Sequence, residues 1–196
     1  MYKRFIYTLF LLFSFIVPLL YASGSEAAPL GFRRPRATFA FGLDAFNTFT
    51  GDFAKYTDVG MKAFVETSLQ AGGYFGFNLR FGSARGFTHK DFLPFDNGYQ
   101  FIFITASPRF YLAPFRKTHL YFYAQPDINV NIFMSNTLVK ITGNDSVTWA
   151  AGGAVGAQYI IGVFSFSGQV SCQYDWELKT LFISGGLAVG FASTIR

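Results

Sequence analysis

Three observations predict an all-β fold, closed into an eight-stranded antiparallel transmembrane β-barrel. The first lies between Leu120 and Met134. Leu120, Phe122, Ala124, Pro126, Ile128, Val130, Ile132 and Met134 form one alternate set; Tyr121, Tyr123, Gln125, Asp127, Asn129, Asn131 and Phe133 form the other. A strand sends successive side chains to opposite faces, so one face is apolar and the other mostly polar, whereas a helix would mix the sets. The second is composition. Charged residues are 14% of the 196, below the roughly 25% of soluble domains, and aromatics are 20%, with 27 Phe, 11 Tyr and 20 Gly. A helical membrane protein would instead show long unbroken apolar runs. The third is recurrence: the alternation returns in eight stretches, joined by long and short connections in rotation, as a small membrane barrel requires.

The one long apolar run lies at the N-terminus. Lys3 and Arg4 precede Phe5–Leu20, and small residues follow through Ala22-Ser23-Gly24-Ser25-Glu26-Ala27-Ala28. This is the layout of a secretory signal peptide, expected over residues 1–27 with the barrel over 28–196. Cleavage before Ser25 also fits the small-residue rule. Cys172 is the lone cysteine, which rules out an internal disulfide framework. The formal charge of +5 includes Lys3 and Arg4, and no lysine-rich tract suggests a nucleic-acid partner.

The strands follow in order. Gly31–Pro35 reads as an irregular lead-in. The first strand runs over Arg36–Asn47, with Phe39, Phe41, Leu43 and Ala45 against Thr38, Ala40, Gly42 and Asp44. Thr48–Gly60 reads as a loop on its Gly51-Asp52 and Asp58. The second strand is Met61–Ala71, and Gly72-Gly73 turns it into the third, Tyr74–Arg85. Gly86–Gly98 is the second long loop. The fourth strand, Tyr99–Leu112, alternates least cleanly, because Phe101-Ile102-Phe103-Ile104 is apolar on both sides; a bulge or an inward aromatic accounts for that. Ala113–Lys117 is a turn into the fifth strand, Leu120–Met134. Ser135–Ser146 is the third long loop. The sixth strand is Val147–Ile160, with a turn at Gly162. The seventh alternates Phe164, Phe166, Gly168, Val170, Cys172, Tyr174 and Trp176 against Ser165, Ser167, Gln169, Ser171, Gln173 and Asp175. After a short Glu177-Leu178 connection, the eighth carries Leu181, Ile183, Gly185, Leu187, Val189 and Phe191 on one side. This last hairpin is tight where a long loop is expected.

Alternation does not say which face points out, since a soluble barrel uses the same period. The polar sets are rich in Ser, Gln, Asn, Gly and Thr but poor in Lys and Glu, unlike a water-exposed surface. The apolar sets end in Trp149, Tyr159, Tyr174 and Trp176, as interfacial girdles do. The apolar face is therefore read as facing lipid, and closure satisfies the backbone.

With leader, strand count and loop asymmetry in hand, the chain from about residue 31 resembles the eight-stranded bacterial outer-membrane barrels, and most of all the OmpW-like branch. It departs from them in that Phe191 is its last aromatic, the chain continuing to Ile195-Arg196 where such barrels end in an aromatic. The resemblance implies a cell outer membrane location, with outer-membrane lipids and the barrel-insertion machinery as partners. It also implies termini on the periplasmic side, long loops outside, and passage of small hydrophobic molecules.

The inward set supplies the candidate site residues. Asp44, Glu66, Arg80, Arg109 and Asp127 carry charge, with Gln125 and Asn129 among their polar neighbours. An eight-stranded barrel is just wide enough to be filled by such side chains, so they form either a hydrogen-bonded plug or a narrow polar conduit. Pro108 and Pro126 sit inside neighbouring strands, roughly opposite each other. Proline cannot donate to the ladder, so the pair is either a tolerated bulge or a side opening from lumen to bilayer. No catalytic set is expected: His89 and His119 lack a serine two residues on, and no Gly-x-Ser-x-Gly elbow or metal-ligand spacing occurs. No cofactor and no metal are expected. The leading function is a channel for small hydrophobic molecules. The alternative is a surface-exposed structural or adhesin-like barrel.

Overall fold

A computed structural model describes residues 36–71, 74–88, 98–115, 119–134 and 147–194. In them, eight strands pair with their sequence neighbours, all antiparallel, and the last pairs with the first. They are β1 Arg36–Thr48, β2 Thr57–Ala71, β3 Phe75–Thr88, β4 Gly98–Phe115, β5 Leu120–Phe133, β6 Val147–Ile161, β7 Phe164–Asp175 and β8 Thr180–Thr194. One helix of six residues, α1 Gly51–Tyr56, stands between β1 and β2. The signal peptide, the Gly31–Pro35 lead-in, the Gly72-Gly73 turn, His89, Arg116-Lys117 and the loop over 135–146 lie outside the described residues.

Closure leaves no bare edge, so each strand has a partner on both sides. β1 meets β2 with Asp44 opposite Lys62 and Ala40 opposite Glu66, and β8 with Phe39 opposite Phe191. Along β5 burial alternates residue by residue from Tyr121 to Phe133, the odd positions buried and the even ones more open. The chemistry of the two faces is the reverse of a soluble protein. Leu187 is 72% exposed, and Phe41, Phe81, Leu112 and Val155 also stand outward, while Asn78 and Arg109 are 0% exposed. Among the described residues no helix is long and apolar enough to cross a membrane. The apolar surface belongs to the strands.

Three stretches differ from the sequence reading. Residues 48–60 are not simply a loop: they hold α1, and β2 begins at Thr57 with a register irregularity before Gly60. β3 and β4 extend to Thr88 and from Gly98, into the expected second loop. β4 also runs to Phe115, past Ala113, with a register shift between Leu112 and Phe115. A bulge admits an extra residue without ending the pairing, so a Pro-containing stretch stays in the strand. The ambiguous Phe101–Ile104 run resolves without a bulge: Phe101 and Phe103 are inward aromatics.

Those inward rings need room. A Cβ at Gly42, Gly60 or Gly86 would fall on the ring of Phe64, Phe46 or Tyr99 respectively. Each ring lies over a neighbouring strand's glycine, where no other residue leaves the space. Gly162, at φ +59°, makes the tight turn between β6 and β7.

Candidate functional site in the barrel interior and wall

The interior has three layers along the axis. At the end carrying α1 and the Trp176–Lys179 turn (the loop end) the side chains are aromatic. Phe53, Tyr99, Phe101, Phe133 and Phe182 pack with ring centroids 5.1 to 6.4 Å apart. Phe53 is the odd member, since it comes from α1 rather than a strand and is 1% exposed. The helix is held at its base. Phe49 N donates to Leu181 O at 2.9 Å, Leu181 N donates to Thr50 Oγ1 at 3.0 Å, and the Thr180 hydroxyl donates to Thr50 O. At its far end Thr57 Oγ1 donates to Phe53 O at 2.9 Å. The short helix thus folds inward and sets its ring into the barrel mouth.

The middle layer is charged. Glu66 takes Arg80 on one oxygen, through Nε at 2.6 Å and Nη2 at 2.5 Å, and Arg109 Nη2 on the other at 3.1 Å. Arg80 Nη1 lies 3.6 Å from Asp44. Arg109 Nε donates to Gln125 at 2.7 Å, and Gln125 donates to Asp127 at 2.8 Å. Ser107 and Gln173 also donate to Asp127. With its amide nitrogen turned toward Glu66, Asn78 donates to that carboxylate and accepts from Arg109, both at 3.2 Å. Both guanidinium groups lie on rings, Arg80 4.4 Å from the Phe64 centroid and Arg109 4.0 Å from that of Tyr123. Asn129 sits nearer the loop end, accepting from Thr105 at 2.6 Å and donating to Asn131 at 2.6 Å.

The third layer, toward Arg36 and Thr194, is a cluster of Tyr111, Tyr121, Tyr123, Ile160 and Ala192. The nine residues singled out from sequence therefore fall in two places. Asp44, Glu66, Arg80, Arg109, Gln125, Asp127 and Asn129 face the interior, while Pro108 and Pro126 face outward in the wall. Lys62, Ser107, Asp175 and Phe53 were not singled out. Lys62 and Ser107 stand in the inward register of their strands, a signal that was available. Asp175 is fully buried and accepts from Thr148, Asn131 and the Leu178 amide. Phe53 carries no periodic signal.

The wall breaks at the prolines. Ala106 faces Ile128 and Phe110 faces Ala124, which puts Pro108 opposite Pro126, yet no backbone pairing joins β4 and β5 between those points, where the inward side-chain bonds of Ser107 to Asp127 and Arg109 to Gln125 span the seam. The cause is local chemistry. Tyr111 N donates toward the β3 side and Met134 N toward β4. Amide directions alternate along a strand, so position 108 points its missing N–H at β5 and position 126 points its own at β4. A pair that should exchange two hydrogen bonds has no donor at all. On the other sides Pro108 faces Phe77 and Pro126 faces Gly153, with the register unbroken.

On the β6 side of Pro126 the outer surface is hollow. A groove of about 540 Å³ runs across β4 to β7, lined by Phe110, Ala124, Pro126, Gly153, Val155, Val170 and Cys172. Ala124 and Gly153 are small on the outward face, so the taller Val155 and Val170 form its sides. Cys172 is exposed there as a free thiol.

Solved structures share this architecture. The fold is that of a small eight-stranded outer-membrane barrel. Ail, the attachment invasion locus protein of Yersinia pestis, matches 82% of this chain and 100% of its own at 13% identity and a TM-score of 0.52. The outer membrane protein OprG from Pseudomonas aeruginosa matches 85% and 98% at 13% identity and 0.52. Neisserial surface protein A matches 84% and 99% at 14% identity and 0.51. No family model and no curated protein matches the chain.

Proposed function

We propose that this chain is an outer-membrane barrel that passes small apolar molecules from its loop end sideways into the bilayer. The loops would face the cell exterior, the termini the periplasm, and lipid the apolar wall. Residues 1–27 would direct export, and the barrel-insertion machinery would place the chain. A solute would enter past the Phe53 ring, cross the Thr105–Asn129 layer and leave between Pro108 and Pro126 into the outer groove. The donorless proline pair, with an apolar groove beside Pro126, is the observation that carries this reading. In hydrocarbon a missing ladder bond has no water to replace it, so the wall is weakest there.

The test is to replace both prolines with valine, which suits an outward strand position and restores two donors. Two hydrogen bonds at about 0.5–1.5 kcal/mol each should slow hydrogen exchange at Ala106, Phe110, Ala124 and Ile128, whose amides point across the same seam, by roughly five- to a hundredfold. Uptake of apolar solutes into proteoliposomes should fall with it. Slowed exchange with undiminished uptake would place the route elsewhere.

A second reading is supported by the packed interior. Arg109 is 0% exposed and tied to Glu66 and Gln125, as in a barrel that only anchors surface loops. The neighbour named for attachment and invasion, also solved with a heparin analogue, gives this reading its form. An adhesive barrel needs neither uptake nor conductance, so liposomes that stay impermeable while cells bind a surface through the chain would favour it.

A further inference from the structure

Lys62 is the buried charge whose neighbours are rings. It points inward from β2 where the aromatic layer meets the charged one, and is 6% exposed. Its Nζ lies 5.3 Å from the ring centroid of Phe46, 5.5 Å from Phe103 and 6.0 Å from Phe182. Asp44 stands directly opposite on β1, but that carboxylate approaches Arg80. No hydrogen bond or ion pair joins Lys62 to any described residue. Every other buried charge among them, from Asp44 and Glu66 to Arg80, Arg109, Asp127 and Asp175, has a polar partner. Ring faces offset only part of the cost of stripping water from an ammonium group. A carboxylate would offset far more, through a charge-assisted hydrogen bond in a low-dielectric setting.

The space above this cation is held by a removable group. Phe53 packs 6.1 Å from Phe182, the ring it shares with Lys62, and 5.1 Å from Tyr99. It comes from a six-residue helix outside the sheet, so it can swing away without unpairing a strand. A cation at the floor, aromatic walls and a ring that can be displaced together define a ligand: an apolar body with one anionic end.

We propose that the loop-end chamber binds small aromatic or aliphatic carboxylates, the carboxylate on Lys62 Nζ and the apolar body in the place of the Phe53 ring. This rests on the reading of the barrel as a route for apolar molecules and names their class.

The experiment compares 4-phenylbutyrate with 4-phenylbutanol, which share a body and differ in the head group. Equilibrium dialysis measures binding to the refolded full chain, and proteoliposomes measure uptake. The wild type should bind the carboxylate at least about tenfold more tightly, as a charge-assisted hydrogen bond predicts. Lys62→Met, which keeps the apolar stem, should abolish the preference, and Lys62→Arg should keep it. Equal binding of both probes, or a preference that survives Lys62→Met, overturns the inference even if both are taken up. Saturable, Lys62-dependent binding without uptake sustains the inference and removes the transport reading. Absence of binding by either probe overturns the inference, including when Phe53→Ala is used to clear the chamber.

Discussion

Glu66 is the residue on which the interior charges converge. It holds Arg80 and Arg109 on separate oxygens, each at hydrogen-bond distance and all three buried. Removing one member of a buried ion pair costs more than the pair contributes, because the other charge stays behind. Glu66→Gln leaves two guanidinium groups sharing a neutral amide. It should destabilise the folded barrel by roughly 3–5 kcal/mol, read as a lower urea midpoint. Asp44→Asn should cost less, since Arg80 at 3.6 Å keeps Glu66 as its closer partner. An equal loss for both variants would show that Glu66 is not the hub. The inward position of these residues is legible in the sequence because a strand has period two and this barrel's two faces differ in chemistry. Their partners are not. That Arg109 on β4 reaches Glu66 on β2 depends on how steeply the strands coil and how far a guanidinium extends, and neither shows in a sequence pattern. Lys62 was open to the same reading, since it shares the register of Phe64 and Glu66, but a lysine among rings does not look like part of a polar plug.

At the scale of elements, the strands were legible to within a few residues and the connections were not. Turn residues mark where pairing can end, not where it must. Gly86 and Pro114 therefore read as loop, while β3 and β4 continue through them. The short helix is the clearest case. Gly51-Asp52 and Asp58 are loop chemistry, and six residues are too few for propensity to make a helix in water. α1 exists because Phe53 is buried in the mouth and Thr50 is bonded to β8. Tertiary contact makes the local structure here. Phe53→Ala should therefore release α1 while leaving the sheet intact. The global cost should stay within the ordinary ~0.5–3 kcal/mol of one substitution. Protease cleavage near residues 51–56 and leakage through reconstituted barrels should both rise. Unchanged leakage with faster cleavage would mean that the mouth is sealed by the strand aromatics alone.

For the whole molecule, closure and polarity follow from one pattern repeated eight times, which is why the fold class is legible in the sequence. Membrane orientation has a direct check. On intact cells residues 86–98 should be accessible to labels or protease and Arg116 protected; the reverse would invert the barrel. Closure also governs how the chain is assembled. Arg36 pairs with Thr194, and Phe46 with Ser184, so the seam joins the first strand to the last. Contacts this far apart in sequence form late and slowly. A chain halted anywhere before β8 keeps two unpaired edges, and each is a template for another strand. Truncated products should then do more than lose a strand's worth of stability: their open edges should capture one another and intact chains that have not yet closed, so that damage to the fifteen residues of β8 acts as a dominant fault.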